Sequence, residues 1–421
     1  MATARRPVLV LNSGSSSIKF SVYETAGEER RRLLEGELEG IGAGASGGAK
    51  LWIKSWLEDS GPDSVDGKKI VDETPNAPDL SAGFALISRA LAQPPFPHPA
   101  AIGHRMVCGG PTVTENQRLT PDLIAEMERY TSFAPLHAPS EIYIMRQTMQ
   151  IFPDVPNFVC LDSWFHRDLP EVARYLPIPI EYRKMGVRRF GAHGLSYESI
   201  VAHLRKEGDG RVPSRLIVAH LGNGASVCAI RDGQSVDTSM GLTPTGGIIS
   251  GSRTGDIDPG ALLFLLRELA EHATNTEDAA KELEDIINKR SGLSGMSGVS
   301  SDMRKLRKAI ADGSAAARLA VDQFTYTIRK FIGSYSAVLG GLDMLVFTGG
   351  IGENDVATRA EVCAGMETLG ILIDAQRNQA PGETQISANG SAVTVRVIPA
   401  AEDLTIVNQV CRLLEQHLNT Q

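Results

Sequence analysis

Hydrophobic positions in this chain follow two rhythms. Short runs rich in β-branched and aliphatic residues, such as Val8–Leu11, show little alternation, the pattern of a strand buried on both faces. Residues 18–23 read as a returning strand, and further strands are predicted at 216–220, 226–230, 343–348 and 393–398. Helical periodicity takes over elsewhere. Thr120, Pro121 and Asp122 supply an N-cap, a first-turn proline and an acid that suits the helix dipole. Ser314 caps a long apolar-periodic stretch that ends at Gly340-Gly341, and a last helix is predicted from about Glu402 onward. Residues 28–50 shift from a charged run to "GIGAGASGGAK", with polar sequence to about residue 79, which reads as a hairpin extension or a mobile surface region. Strands mixed with helices and hairpins imply an α/β protein with mixed sheets.

One pattern occurs twice. Val8-Leu9-Val10 corresponds to Ile217-Val218-Ala219, and Ser16-Ser17-Ile18 to Ala225-Ser226-Val227. Each copy is a buried strand, a turn of small residues and a second strand, so two similarly built domains are expected. The length agrees, since 421 residues exceed the roughly 250–300 at which single cores stop growing.

Composition narrows the class. A hydrophobic content of 42% suits a globular protein, and a formal net charge of -8 argues against nucleic acid as a partner. No apolar run approaches the roughly 20 residues of a membrane span, so no membrane partner is expected. Five scattered cysteines without a CxxC pair point to reduced thiols and a cytoplasmic protein. The opening "MATARRPVLVLN" has too short an apolar stretch for a signal peptide.

The turns hold the candidate chemistry. "NSGSSS" at 12–17, "GNGAS" at 222–226 and "TGGIG" at 348–352 each follow a strand. Small residues let backbone N–H groups approach an anion closely, although each stretch could also be an ordinary turn. No Walker A sequence is present, so any ATP site lacks a P-loop. A formal G-x-G-x-x-G at Gly42, Gly44 and Gly47 lacks the flanking strand and helix of a dinucleotide site. Phosphoryl transfer needs cations and a metal-holding carboxylate. Arg105 and Arg253 lie among small residues rather than on charged helical faces, and Glu402 follows a predicted strand. His137, His193 and His220 also stand among small residues or prolines, while no Cys/His spacing supports zinc. Ser16-Ser17-Ile18-Lys19 satisfies the S-x-x-K of acyl-serine enzymes, which would place that serine at the start of a helix.

Ten ordered segments between about residues 8 and 410 resemble the acetate kinases. They include "VLVLNSGSSSIKFSVYE", "GHRMVCGG", "APLHAP", "LDSWFH", "RRFGAHGLS", "HLGNGASVCAI", "GSRTGDIDP", "FTGGIGEND" and "IPAAEDL". The resemblance implies a duplicated actin-like (ribonuclease H-like) two-domain α/β fold with mixed sheets and an interdomain cleft. The expected division is an N-terminal domain over 1–163, with the helix from about 404 to 421 packed back on it, and a nucleotide-binding domain over 164–403. The implied reaction is reversible, direct in-line phosphoryl transfer from ATP to a short-chain carboxylate, with Mg²⁺ or Mn²⁺, in a homodimer. A non-catalytic actin-like nucleotide-binding protein is the alternative outside enzymology.

Residue by residue, the family's metal positions fall on Asn12 and Glu402, and its catalytic positions on Arg105, Arg253, Asp162, His137 and His193. ATP/ADP-binding positions fall on Lys19, His220, Gly222, Asn223, Gly224, Asp302, Met303, Arg304, Gly350, Ile351, Gly352, Glu353 and Asn354. The acyl pocket falls on Val107, Leu136, Ala192 and Pro244. Several positions depart from the family. Ala192 replaces the usual Phe, which would admit a chain longer than acetate, such as propionate or butyrate; Trp164 stands in the aspartate motif and would refill that space. Ala138 and Glu141 stand where asparagines are usual, Gly246 replaces a glutamate and Cys108 a histidine.

Overall fold

The computed structural model describes residues 5–14, 16–42, 48–57, 67–382 and 384–419, so Gly44 and Gly47 of the formal glycine motif lie outside the described residues. The chain packs as two units. One runs through Trp164 and resumes at Ala401; the other spans Phe165–Ala400. Glu402 therefore belongs to the first unit.

Among the described residues the first unit holds eight strands: β1 (Arg6–Ser13), β2 (Ser17–Ala26), β3 (Glu29–Glu39), β4 (Lys50–Ser55), β5 (Lys68–Glu73), β6 (Ala101–Met106), β7 (Gln117–Arg118) and β8 (Asn157–Leu161). Their order is β5-β4-β3-β2-β1-β6-β8-β7. β1 pairs antiparallel with β2 and parallel with β6, which pairs parallel with β8. Val8–Leu11 are at most 2% exposed, as the unbroken apolar run requires. The charged run after residue 28 is the hairpin extension: β3 places Leu33, Leu34 and Leu38 in the core while its arginines face outward. Ser17 opens β2, so the S-x-x-K match sits in a turn and strand rather than on a helix, which removes the acyl-serine reading.

The helix Glu402–Asn419 lies over β6 at a point of close approach. A Cβ on Gly103 would stand 2.6 Å from Ile406 Cγ2 and 2.7 Å from Val410 Cγ2, so only glycine fits there. That contact fixes the helix whose first residue is Glu402.

The second unit holds β9 (Arg215–Leu221), β10 (Ala225–Arg231), β11 (Gln234–Thr238), β12 (Met344–Thr348), β13 (Thr384–Gln385) and β14 (Thr394–Val397), in the order β11-β10-β9-β12-β14-β13. β9 pairs antiparallel with β10 and parallel with β12, which pairs parallel with β14. This repeats the β2-β1-β6-β8 arrangement, so the duplicated pattern in the sequence is a duplicated sheet. Ser314 accepts from Ala317 N–H to start the helix Ala315–Leu339, which ends on left-handed Gly340. Its apolar face, including Phe324 and Ile328, packs with Ile217, Leu345 and Phe347 of the sheet. Burial of a side chain such as Phe324 contributes about 1.5–3 kcal/mol.

One local expectation changes. The small residues after β12 form a helix, Gly349–Asn354, rather than a loop. Glu353 stabilises it by accepting from Gly349 N–H at 2.9 Å and Thr348 Oγ1–H at 3.3 Å. Among the described residues no helix is long and apolar enough to cross a membrane.

Candidate active site

Parallel strands gather chemistry at their carboxyl ends, where loops diverge and backbone groups become available. β1, β6 and β8 end together in this way. Leu11 pairs with His104 and Arg105 with Cys160, while Asp162 N–H donates to Met106 O at 2.7 Å. Asn12, Arg105 and Asp162 thus follow from three neighbouring strands. Successive side chains along a strand face opposite ways. His104 turns into the core against Asn157 at 2.7 Å, and Arg105 turns to the other face.

Arg105 is surrounded by acids. Its Nη2 donates to Asp162 Oδ2 at 2.9 Å and its Nη1 to Glu141 Oε1 at 3.4 Å, with Asn12 Oδ1 at 3.5 Å from Nη1. Asp162 and Glu141 are buried, and the arginine side chain is 13% exposed. Burial works against the guanidinium charge, but Asp162, Glu141 and Glu402 together overcome it and hold Arg105 protonated. Burial raises Glu141 to about 7, against the pull of Arg105 and of the Val107 N–H. Glu402 is likewise raised, first by its protein surroundings, with Arg105 opposing and Asp162 and Asp403 adding like charge. Lys19 also acts on Glu402, although its ammonium pairs with Glu37 at 3.6 Å.

These oxygens fit a hard divalent cation. Glu402 is a carboxylate raised by burial and by the like charge of Asp162, and Asn12 offers a neutral carbonyl oxygen, an oxygen set that suits Mg²⁺ rather than zinc. Arg105 Nε–H is a buried donor without a hydrogen-bond partner among the described residues, a deficit that an acceptor such as a water or an anionic oxygen would fill, not a cation. Among the described residues no three His, Cys, Asp or Glu side chains form a metal-binding group by themselves. His137 caps the helix Ala138–Ile151, one turn before Glu141. Val107 is buried at the end of β6, and Leu136 precedes His137 half-buried.

The second unit has a different chemistry. His193 adopts a left-handed conformation, φ 62°, at the start of the helix Gly194–Glu207. Its Nδ1 hydrogen-bonds Ser226 Oγ at 2.7 Å, and that hydroxyl also bonds Tyr197 Oη. His220, at the end of β9, bonds Ser196 Oγ through Nδ1 at 2.8 Å. The two imidazoles stack at 4.2 Å and 18°. With both Nδ1 atoms engaged, the Nε2 edges turn toward the Gly222–Gly224 turn. A Cβ on Gly224 would lie 3.2 Å from His193 Nε2 and 3.4 Å from Arg253 Nη1. Arg253 Nη1 donates to Pro244 O at 3.3 Å, and its loop is tied to the same turn by Gly251 N–H to Asn223 O at 2.8 Å. Ala192 is buried immediately before His193.

Beside this turn lies a cavity of about 560 Å³, within the usual range for small-molecule sites. Of the expected nucleotide positions, Gly222, Asn223, Asp302, Met303, Arg304, Gly350, Ile351 and Asn354 line it, joined by Ser301 and Asp355. His220, Gly224, Gly352 and Glu353 do not. Gly352 is on the buried face of the helix Gly349–Asn354, and Glu353 Oε1 accepts from Ala400 N–H at 3.2 Å as well as from Gly349 N–H. Lys19 belongs to the other unit.

Three contributors escaped the sequence reading of roles. Ser226, Tyr197 and Ser196 act on histidines through hydrogen bonds, and only the placement of Tyr197 one turn after His193 hinted at it. His166 is a fourth: it bonds Ser235 Oγ at 2.7 Å and Ala192 O at 3.4 Å, supporting the chain just before His193.

Comparison with known proteins identifies the family. The sequence profile of the Acetokinase family matches residues 7–408. An acetate kinase of Phocaeicola vulgatus is 38% identical over 421 aligned residues, covering 97% of this chain and 100% of that protein. The crystal structure of Porphyromonas gingivalis acetate kinase superposes with a TM-score of 0.81 at 35% identity, over 97% of this chain and 100% of that one. A propionate kinase from Francisella tularensis superposes at 0.85 and 33% identity, with the same coverage. The chain belongs to the acetokinase family.

Proposed function

We propose that this protein is an ATP-dependent kinase that phosphorylates acetate or a similar short-chain carboxylate to an acyl phosphate, reversibly and by direct in-line transfer. The observation that carries the reading is Arg105, held by two buried carboxylates beside Asn12 and Glu402. A carboxylate with a pKa near 4–5 is already an anion at pH 7, so its attack on phosphorus needs no general base. It needs alignment and charge neutralisation instead. Asp162 is salt-bridged and buried, which suits orienting Arg105 rather than taking a proton.

In this reading Arg105 and Arg253 neutralise charge on the carboxylate and the transferring phosphoryl group. His193 and His220 donate from Nε2, a tautomer consistent with serine partners on Nδ1, and His137 contributes a further polar contact. The nucleotide occupies the cavity lined by Asn223, Asp302 and Gly350. Asn12 and Glu402 would hold Mg²⁺, or Mn²⁺ in its place, which when bound supplies neutralisation of the polyphosphate. Val107, Leu136, Ala192 and Pro244 are the proposed acyl pocket. Ala192 favours a second reading, propionate or butyrate as the preferred acid, because methyl in place of a ring leaves more room.

We further propose a cytoplasmic homodimer, consistent with exposed Leu263 and Phe264 on the helix Pro259–His272. The test of function is hydroxamate trapping with ATP and Mg²⁺ over formate, acetate, propionate and butyrate. Acyl hydroxamate is expected from at least acetate or propionate; none from any acid would overturn the kinase reading.

A further inference from the structure

Glu141 is out of place by ordinary rules. The buried face of its helix is Ala138, Glu141, Ile142, Ile144, Met145 and Thr148, so a carboxylate sits in an apolar row. Its side chain is fully buried, a costly position for an acid unless specific partners compensate. Those partners divide its two oxygens. Oε2 accepts from Val107 N–H at 3.1 Å, and Oε1 faces Arg105 Nη1 at 3.4 Å. Val107 lies two residues beyond Arg105, just past the end of β6. One carboxylate therefore grips both an arginine and the backbone that leaves its strand.

Asp162 takes the other terminal nitrogen, Nη2, at 2.9 Å. With separate acids on Nη1 and Nη2, rotation of the guanidinium about its own chain breaks at least one contact. Each acid alone leaves the plane free to turn. An asparagine here could not do the same, because it is one methylene shorter and its amide has a single acceptor oxygen.

The geometry points to Glu141 as a positioning residue that, with Asp162, fixes the plane of the Arg105 guanidinium and ties the start of the Val107 loop to it. This rests on the carboxylate-kinase reading, in which Arg105 faces the reacting anions. Glu141 itself touches no reacting atom; it acts through Arg105 and Val107. Its loss should therefore appear in turnover and in the carboxylate KM rather than in nucleotide binding, whose cavity lies in the other unit.

The test uses the full chain, with Glu141→Ala and Glu141→Gln measured in the hydroxamate assay and by thermal melting. Glu141→Ala should lower kcat by about thirtyfold, the usual scale for losing a charge-assisted contact, and leave the ATP KM within about twofold. Glu141→Gln keeps one acceptor and should fall between alanine and the parent. If Glu141→Ala does not fold, Glu141→Gln decides alone, with a kcat several-fold below the parent expected. A folded variant whose kcat stays within about twofold of the parent, whatever its melting temperature, overturns the assignment. A parent chain that forms no hydroxamate at all overturns the kinase reading and this assignment with it, whereas an active parent with unchanged variants overturns this assignment alone.

Discussion

The hairpins β1–β2 and β9–β10 share a frame: the first strand of each pairs antiparallel with the second and parallel with a later strand. What surrounds them differs. Around the first, a guanidinium donates to the acids Asp162 and Glu141, with the field of Glu402 added. Around the second, two stacked imidazoles are held by serine hydroxyls and a tyrosine, and the anchoring contacts of the rings are neutral. Duplication supplied one scaffold, and divergence at the strand ends gave each copy its own electrostatics. A charged cluster is strong but depends on all its members, because an unpaired buried charge is expensive. A neutral hydrogen-bonded set is cheaper to perturb, and its main task is orientation.

The largest expected effects test whether both regions serve one reaction. Arg105→Ala and Arg253→Ala should each lower kcat by about 10²–10³-fold, as removal of a transition-state donor commonly does. Wild-type turnover in either variant removes that arginine from the mechanism. Arg105→Ala should also cost about 3–5 kcal/mol of stability in urea unfolding, since Asp162 and Glu141 are left buried without their cation.

A smaller effect is expected on the neutral side. Ser226→Ala removes the hydroxyl shared by His193 and Tyr197 and should lower kcat about tenfold, with a stability loss of about 1–3 kcal/mol. A loss as large as that of Arg105→Ala would erase the contrast between the two regions. Ala192→Phe should shift the ratio of kcat/KM for propionate over acetate about tenfold toward acetate, the scale on which pockets discriminate a methylene. An unchanged ratio would show that Ala192 does not bound the acyl site.

The subtlest effect is on pH dependence. Glu141 holds its proton to about pH 7 when folded, against an ordinary value of 4.5. The native state therefore binds more protons across that window, and this group's contribution to stability is present at low pH and lost as pH rises toward 7. Glu141→Gln should flatten the decline of Tm between about pH 5 and pH 8 by a few degrees. An equally steep decline in the variant would assign it to other groups.

Much of this arrangement can be read in the sequence, for identifiable reasons. Val8–Leu11 and Ile217–Ala219 are legible as buried strands because their apolar runs are unbroken. Arg105 and Arg253 stand out because small residues flank them, and Glu402 because it opens the helix after a strand. Glu141 was visible only as a departure from a family pattern; burial and its two partners come from the packing of a helix on β6. The Ser226–His193 bond joins residues 33 apart in sequence, and no periodicity signals a pairing of that range. "TGGIG" read as a loop because glycines weaken helix propensity, whereas Glu353 stabilises a short helix there.

The central claim is that the carboxylate itself attacks phosphorus. Incubation of the protein with ATP, Mg²⁺ and acetate or propionate labelled with oxygen-18 in both carboxyl oxygens, followed by ³¹P NMR, tests it most directly. The account predicts an acyl phosphate resonance displaced by one phosphorus-bound oxygen-18. An acyl phosphate signal without that displacement, or no acyl phosphate from either acid, would contradict it.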